Sequence, residues 1–398
     1  MFYRMQKAGI ALVLTAVLIV LTAAPSVQAA GSTFQKAYAN TSVRLLQQAA
    51  KKSKKKNVLI SPDSVITVLS VLENGASGKT RKELKKALGG LSVSKYTSSL
   101  KKLHRRVGSS SLIRYNAANS LWYKEGEISL KQDFVQKMAD AYDMEVHGAP
   151  FDSSTLKKIN QWASDKTEGK IPSILNRLDP EMRAVVLNAI YFKGTWADPY
   201  VTVKKRKFTT ASGKKKKVSM LEGTESTYLT VNGAKGFVKP YMGCDVALMV
   251  LLPPKGTSVN KYIKKLSGED LVKGYKNRRT ENIRVLTRLP EFSYDYSISL
   301  GTPLQKMGIR RAFTPKASFS KMCGNAIYID DVLHKTYIDL NRYGTEAAAV
   351  TAAIAKASAV RPQTEITVKK VYCNRPFVYG IIDTKTGLPL FLGAVCEP

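Results

Sequence analysis

The sequence predicts a single α+β domain behind an export signal. Helical spacing of apolar residues dominates the N-terminal third, and strand-like alternation of apolar and polar residues takes over later in the chain. No repeat, low-complexity linker or break in composition divides the 398 residues, and a hydrophobic content of 44% is enough for one large core. Because helices come first and strands later, an α+β fold is favoured over alternating βαβ units.

The first 29 residues have the pattern of a secretory signal peptide. Arg4 and Lys7 precede an apolar stretch from Ala8 to Ala24, and a small-residue site of the A-x-A kind ends at Ala29. We expect cleavage after Ala29 and a secreted, extracellular domain over residues 30–398. The alternative is an uncleaved membrane anchor, because 17 apolar residues are near the lower limit for a spanning helix.

Helices are predicted in the first part of the chain and strands in the second. Pro62 follows Ser61 and is tolerated in the first turn of a helix that runs to Glu73. The predicted helices are 34–52, 61–73, 79–88 and 93–107. The predicted strands are 184–192, 206–220, 237–252 and 283–292, and a hairpin of buried strands is predicted over 377–382 and 388–395.

The sequence contains no motif that predicts catalysis, a metal or a cofactor. The stretch 74–80 ends like a phosphate-binding loop but has Glu73 where that motif needs its first glycine, which predicts a turn at a helix end. There is no G-x-S-x-G motif, and His104, His147 and His334 are not at metal-pair spacing. Four widely spaced cysteines exclude a dense disulfide framework, while one or two bridges and free thiols both remain open. We expect no enzyme, no cofactor and no metal.

Charge is the most unusual bulk property of this chain. A formal net charge of +33 predicts attraction to polyanions such as sulfated glycans, anionic cell-wall polymers or phospholipid head groups. Export makes nucleic acid a poor biological partner. The alternative is that the charge only keeps an exported protein soluble.

Three blocks of the sequence carry a family resemblance. The first is 57–62 with 74–76, the second is 159–162, 167–172 and 187–196, and the third is 334–341, 344–349, 374–377 and 391–393. In their order along the chain these blocks resemble the serpin family of serine protease inhibitors, and they span nearly all of residues 30–398.

The resemblance implies a fold and a mechanism. It implies one monomeric domain, with about nine helices around three β-sheets and an exposed C-terminal reactive loop at about residues 342–362. In that family a serine protease attacks the loop and forms an acyl-enzyme, and the cut loop then inserts into the main sheet as a new strand. The protease is left in a covalent complex.

The loop can also be examined from residue chemistry alone. A segment that becomes a buried strand needs small uncharged side chains at every second position and no proline. We expect Gly344 to supply the unusual dihedral angles of a hinge. The hinge is Gly344, Thr345, Glu346, Ala347, Ala348 and Ala349, and the residues predicted to point inward are Thr345, Ala347, Ala349, Thr351, Ala353 and Ala355. The alternative for 347–357 is an alanine-rich helix.

The family register places the reactive bond between Ser358 and Ala359, because the cut usually lies fourteen residues beyond the hinge glycine. The small residues around it favour elastase-like proteases, which have shallow primary pockets. Subtilisin-like or chymotrypsin-like targets are the first alternative. A trypsin-like target that cuts after Lys356 is the second, although it would shorten the loop by two residues.

Two further predictions concern the support of the loop. Ser61, Asn188 and His334 match residues that form a hydrogen-bonded cluster beneath the main sheet in the family, with an ordinary core histidine as the alternative for His334. Trp196 matches a tryptophan where the loop enters the sheet, with ordinary core packing as its alternative.

Arg342 and Glu291 occupy two places where the family commonly has an acid and a lysine. The charges look exchanged, which predicts an Arg–carboxylate pair, with coincidence of surface charges as the alternative.

Basic residues on the helix at 93–107 suggest a second function. Lys101, Lys102, Arg105 and Arg106 lie where some serpins bind heparin-like glycans, and three of them can share one helix face. The alternative is a solvated surface. The rival to protease inhibition is therefore a non-inhibitory scaffold of the same fold that binds polyanions.

Overall fold

The computed structural model describes residues 27–108, 112–179, 181–346 and 365–398, with side chains from residue 33 onward. Within these ranges the chain forms nine α-helices and three β-sheets, which confirms the predicted fold class. The helices are α1 Val27–Ser53, α2 Pro62–Gly75, α3 Gly78–Ala87, α4 Val93–Val107, α5 Gln132–Tyr142, α6 Ser153–Lys166, α7 Val259–Lys265, α8 Gly268–Lys276 and α9 Gly301–Lys306.

Sixteen strands make up the sheets. In chain order they are β1 Val58–Ile60, β2 Ile113–Lys124, β3 Met144–Ala149, β4 Ala184–Thr195, β5 Thr202–Thr209, β6 Lys215–Glu225, β7 Tyr228–Val231, β8 Ala234–Pro240, β9 Val246–Leu252, β10 Ile283–Pro290, β11 Phe292–Ser299, β12 Asp331–Leu340, β13 Gly344–Thr345, β14 Thr367–Tyr372, β15 Phe377–Asp383 and β16 Pro389–Val395.

The four predicted N-terminal helices are present as α1 to α4, with α1 beginning at Val27 rather than residue 34. Ser61 caps α2, because its side chain accepts a hydrogen bond from the backbone N–H of Ser64. The stretch from Asn74 onward is a turn between helices, since α2 ends at Gly75 and α3 begins at Gly78. No helix among the described residues is long and apolar enough to cross a membrane.

Several predicted strands are in fact pairs of strands. The segment 206–220 is the β5–β6 hairpin, and 237–252 is the β8–β9 hairpin. A turn divides each of these segments into two strands. In the first segment, Gly213 between β5 and β6 has a φ of 90°, which a residue within a strand does not adopt. Strand β2 and helices α5 and α6 were not predicted.

The sheet that contains the predicted hinge, which we call the main sheet, has six strands in the order β11-β12-β13-β4-β2-β3. Strand β4 is buried on both faces from Ala184 to Phe192, whereas β12 is fully buried only at every second residue. Val185, Leu187 and Ala189 of β4 pack in one cluster with Trp162 of α6, whereas alternate residues such as Ile190 face the central core. The other sheets have the orders β1-β16-β15-β9-β8-β7 and β14-β10-β6-β5.

Candidate functional site: the hinge and the opening of the main sheet

The main sheet is interrupted at its centre by the two-residue strand β13. Strands β4 and β12 run parallel and pair directly over six residues, from Asp331 opposite Val185 to Thr336 opposite Ile190. Beyond that point β13 lies between them. It is antiparallel to both neighbours. At the end of the sheet where β4 and β12 finish, these two strands are therefore already separated by Gly344 and Thr345, the first residues of the predicted hinge.

Thr345 has the inward orientation that the alternation of small residues predicts. It pairs with Gly194 on β4 and Leu340 on β12, and it is 1% exposed. Its hydroxyl lies 2.6 Å from the hydroxyl of Tyr241, within hydrogen-bonding distance. A hydroxyl in this position is satisfied, so the site accepts a small polar side chain.

Trp196 lies where the chain enters the sheet. Its ring is fully buried and stacks on Tyr241 with centroids 4.5 Å apart. Its indole N–H donates to the carbonyl of Asn341 at 3.1 Å, and its backbone N–H donates to that of Tyr343 at 2.9 Å. Trp196 therefore fixes the segment that leads into the hinge, besides filling the core.

The left-handed backbone of the hinge is at Glu346, not at Gly344 as predicted. Glu346 has a φ of 51°, whereas Gly344 lies in β13 without a positive φ. The N–H of Glu346 donates to the carbonyl of Asp339 at 2.6 Å, and the carboxylate of Glu346 pairs with Lys170 at 2.5 Å. These contacts offset the strain of a left-handed residue that has a Cβ. The hydrogen bond to Glu346 raises the pKa of Lys170.

The predicted polar residues meet beneath the paired half of the sheet. The backbone N–H of Ser61 donates to Nε2 of His334 at 3.0 Å, and Nδ1 of His334 lies 2.7 Å from the amide oxygen of Asn188. Because Nε2 accepts, Nδ1 carries the proton and donates it to Asn188. Burial lowers the pKa of His334 to about 3, so the ring is neutral near pH 7.

Two members of this polar cluster were missed by sequence reasoning. The amide of Asn188 donates to Asn119 of β2, whose side-chain oxygen also accepts from the hydroxyl of Ser64 at 2.7 Å. Both residues are buried. An asparagine within the mostly apolar stretch 117–122 was the available signal.

The polar cluster joins the two strands that would have to separate for a loop to enter. His334 lies directly opposite Asn188 in the β12–β4 pairing. Their hydrogen bond thus crosses the boundary between β12 and β4. A polar contact of this kind can exchange partners when the strands move apart, whereas an apolar contact leaves a void.

The predicted ion pair between Arg342 and Glu291 is not formed. The guanidinium of Arg342 instead donates to the carbonyls of Tyr200 and Val201, at 3.3 and 3.0 Å. The connection between β4 and β5 passes beside Arg342, since the N–H of Tyr200 also donates to the Arg342 carbonyl. These two carbonyls lie outside the β-strands and need hydrogen-bond donors. The guanidinium of Arg342 supplies the donors, so it does not bind the carboxylate of Glu291 as predicted.

The basic helix α4 differs from its prediction in one residue. Lys101, Lys102 and Arg105 are exposed, but Arg106 pairs with the fully buried carboxylate of Asp383 at 2.9 Å. Arg106 is therefore held in a structural ion pair, because a buried carboxylate without a cation would be costly.

Lys101 and Lys102 do not share one surface. Lys101 lines a groove of about 590 Å³, and Lys102 lines a separate groove of about 290 Å³. The predicted single face is divided.

Other predicted residues lie outside the described part of the chain. These are the signal residues before 27, the hinge residues Ala347, Ala348 and Ala349, and the reactive bond Ser358–Ala359. Within the described part, all four cysteines are free thiols.

Comparisons with known proteins agree with this architecture. The family model described as Serpin (serine protease inhibitor) matches residues 36–398. Leukocyte elastase inhibitor A of Mus musculus is 31% identical over 90% of this chain and 98% of its own. The native state of tengpin, a thermophilic serpin, has a TM-score of 0.84 at 35% identity, over 92% of this chain and 94% of that one. The latent state of tengpin has a TM-score of 0.78 at 33% identity, over 92% of this chain and 98% of that one. The chain belongs to the serpin family.

Proposed function

We propose that this chain is a secreted inhibitor of serine proteases that acts as a suicide substrate. The protease serine attacks the carbonyl carbon of Ser358, the amine of Ala359 leaves, and residue 358 remains bound to the protease as an ester. The freed segment then enters the main sheet between β4 and β12 before water can cleave that ester. The observation that supports this most is the placement of Gly344 and Thr345 between those strands.

The register of β13 fits the length of the proposed insertion. Thr345 is opposite Gly194, so an inserted strand that continued antiparallel along β4 would bring Ala355 opposite Ala184, where β4 begins. Thr345 is also opposite Leu340, which by the same counting brings the segment to the start of β12 at residue 354. The small-residue segment 345–355 thus has the length of both neighbouring strands.

Insertion would exchange one pairing for two. The six direct β4–β12 pairs are parallel, and they would be replaced by two antiparallel ladders along the inserted strand. Every second side chain of the segment is small and uncharged, so no charged group enters the core. Cleavage would break the covalent connection between residue 358 and β14, which would free the segment to enter the sheet.

The polar cluster has a replacement partner in this scheme. If the inserted strand keeps the register of β13, Thr351 would lie opposite both Asn188 and His334, on the inward side that Thr345 already occupies. A threonine hydroxyl donates one hydrogen bond and accepts others. It can therefore occupy the position between Asn188 and His334 when their direct contact is broken.

The small residues around Ser358 favour an elastase-like target. The relative from Mus musculus is named for leukocyte elastase, which supports the same class. Subtilisin-like or chymotrypsin-like proteases are the next candidates. A trypsin-like protease would instead cut after Lys356.

A panel of serine proteases tests this proposal. An elastase-like enzyme should give an SDS-stable complex, together with a released peptide that begins at Ala359. Clean cleavage without a complex would make the chain a substrate only. A released peptide that begins at Ala357 would move the primary residue to Lys356.

A second candidate function is binding of a polyanion such as a sulfated glycan. The net charge of +33 and the exposed basic residues favour it. Retention on a heparin column that falls steeply with salt would support it, because binding releases condensed counterions. A parent protein that binds tightly but traps no protease would make the scaffold function the principal one.

A further inference from the structure

The β5–β6 hairpin carries four lysines on one exposed face. Lys207 lies directly opposite Lys217, and Lys205 and Lys215 follow on the same side of the two strands. All four are exposed. We call this set, Lys205, Lys207, Lys215 and Lys217, the lysine ladder.

The lysine ladder is not neutralised within the described part of the chain. Lys205 donates to the hydroxyl of Ser219 at 3.0 Å, and none of the four forms an ion pair. Glu291, whose N–H donates to the Ser219 carbonyl, pairs with no lysine of the ladder. Lys207 and Lys217 therefore face each other as uncompensated like charges.

The opposite face of the same hairpin has a different electrostatic character. Arg206 pairs with Glu222 at 2.9 Å, and Lys216 pairs with Glu397. The third cation on that face, Lys204, also interacts with Glu222, since after the hydrogen bond from Arg206 the charges of Arg288, Arg206 and Lys204 lower the pKa of that carboxylate. The absence of partners on the ladder face is thus specific to one side of the hairpin.

Like charges directly opposite each other in a sheet are destabilising. Alternate residues on a strand are about 7 Å apart, and opposite residues about 5 Å apart. The ladder therefore presents four ammonium groups in two short rows, fixed by the tight turn in which the Thr210 N–H donates to the Lys214 carbonyl. A linear chain of anionic groups at similar spacing would neutralise all four.

We propose that the lysine ladder is the principal binding site for the polyanion of the second candidate function, with linear sulfated or phosphorylated polymers as its ligands. This rests on that function and moves its site from α4 to the β5–β6 hairpin. Helix α4 is the weaker candidate, because Arg106 is held by Asp383 and Lys101 and Lys102 line two separate grooves.

Three triple variants of equal charge change test the proposal on heparin and on immobilised polyphosphate. The ladder variant is Lys207→Thr, Lys215→Thr and Lys217→Thr, the α4 variant is Lys101→Gln, Lys102→Gln and Arg105→Gln, and the control on α7 and α8 is Lys261→Gln, Lys264→Gln and Lys276→Gln. Each lysine near an anionic surface contributes about fivefold in affinity, so the ladder variant should bind roughly 100-fold more weakly. The two probes distinguish sulfated from phosphorylated ligands.

A second readout separates a binding site from general surface charge. The ladder variant should keep or raise the thermal midpoint of the free protein, because it removes opposed like charges, while its affinity falls. Equal losses in all three variants, or a loss confined to the α4 variant, would overturn the proposal. A parent that binds neither polymer would overturn it together with the second candidate function. Protease trapping, measured separately, should be the same in the ladder variant and the parent.

Discussion

The substitution Thr345→Arg puts a cation into the narrow position that β13 occupies between β4 and β12. Thr345 is 1% exposed and its hydroxyl contacts the hydroxyl of Tyr241. In the described part of the chain, no carboxylate is hydrogen-bonded at this position. An inward arginine would therefore be buried without a partner. It would also be far larger than the side chain that it replaces.

The free-energy cost can be placed on a scale. Burial of a polar group without a partner costs on the order of 3 kcal/mol, and a charge costs more. The uncut protein can relieve that cost by leaving residues 344–345 outside the sheet, whereas insertion has to bury the arginine. A cost of this size in the transition state of insertion slows insertion by roughly 100-fold. Deacylation of the protease is unchanged by the substitution. The partition should therefore shift from trapped complex to cleaved substrate.

The assay is the number of inhibitor molecules consumed per protease molecule inactivated, measured with an elastase-like enzyme. The matched control is Ala348→Arg, which introduces the same side chain at a position that the alternation places outward. Thr345→Arg should turn the chain into a substrate, and Ala348→Arg should leave most of the inhibition. Equal stoichiometries for Thr345→Arg and the parent would refute the inward assignment.

Three further predictions concern the polar cluster and helix α4. Because burial lowers the pKa of His334 to about 3 from an ordinary value near 6.5, its stabilising contribution is complete above pH 6.5 and is lost as the pH falls towards 3. The free energy of unfolding, measured by urea titration between pH 7 and 4, should fall by up to about 1.4 kcal/mol per pH unit, and His334→Gln should lack this slope. Thr351→Val should leave the stability of the uncut protein unchanged but lower that of the loop-cleaved form by about 1 kcal/mol, measured by denaturant unfolding, since it removes the hydroxyl that would replace a buried hydrogen bond. Arg106→Ala should cost on the order of 3 kcal/mol in thermal unfolding because Asp383 stays buried without its cation, whereas Arg105→Ala should change stability by less than about 0.5 kcal/mol; equal effects of the two would contradict the division of α4.

The sequence was sufficient where local chemistry determines the structure. A period of two with small residues identifies the inward side of the hinge, because only the strand repeat places alternate residues on one face. The start of α2 at Ser61–Pro62 and the turn after Asn74 follow from local hydrogen bonding and backbone preference. These features depend on neighbours in the chain, so the chain itself specifies them.

The errors concern contacts between residues that are distant in sequence. Arg342 binds the carbonyls of Tyr200 and Val201, which no spacing rule could place beside it. The same holds for Arg106, whose partner Asp383 is 277 residues away. The polar partner Asn119 lies on β2, a strand whose alternation is broken by polar residues. Long-range pairing is set by the packed fold, and periodicity does not report it.

A reversible bond between β4 and β12 tests the central claim most directly. Leu187 and Leu333 lie directly opposite each other in the pairing of these strands, and neighbouring strands are about 5 Å apart, within the range that a disulfide spans. Leu187→Cys with Leu333→Cys should therefore close the sheet when oxidised, with each single variant as a control. We predict that the oxidised protein is cut by an elastase-like protease but forms no SDS-stable complex, and that reduction restores the complex. A complex formed at normal stoichiometry while the disulfide is intact would contradict insertion between these two strands.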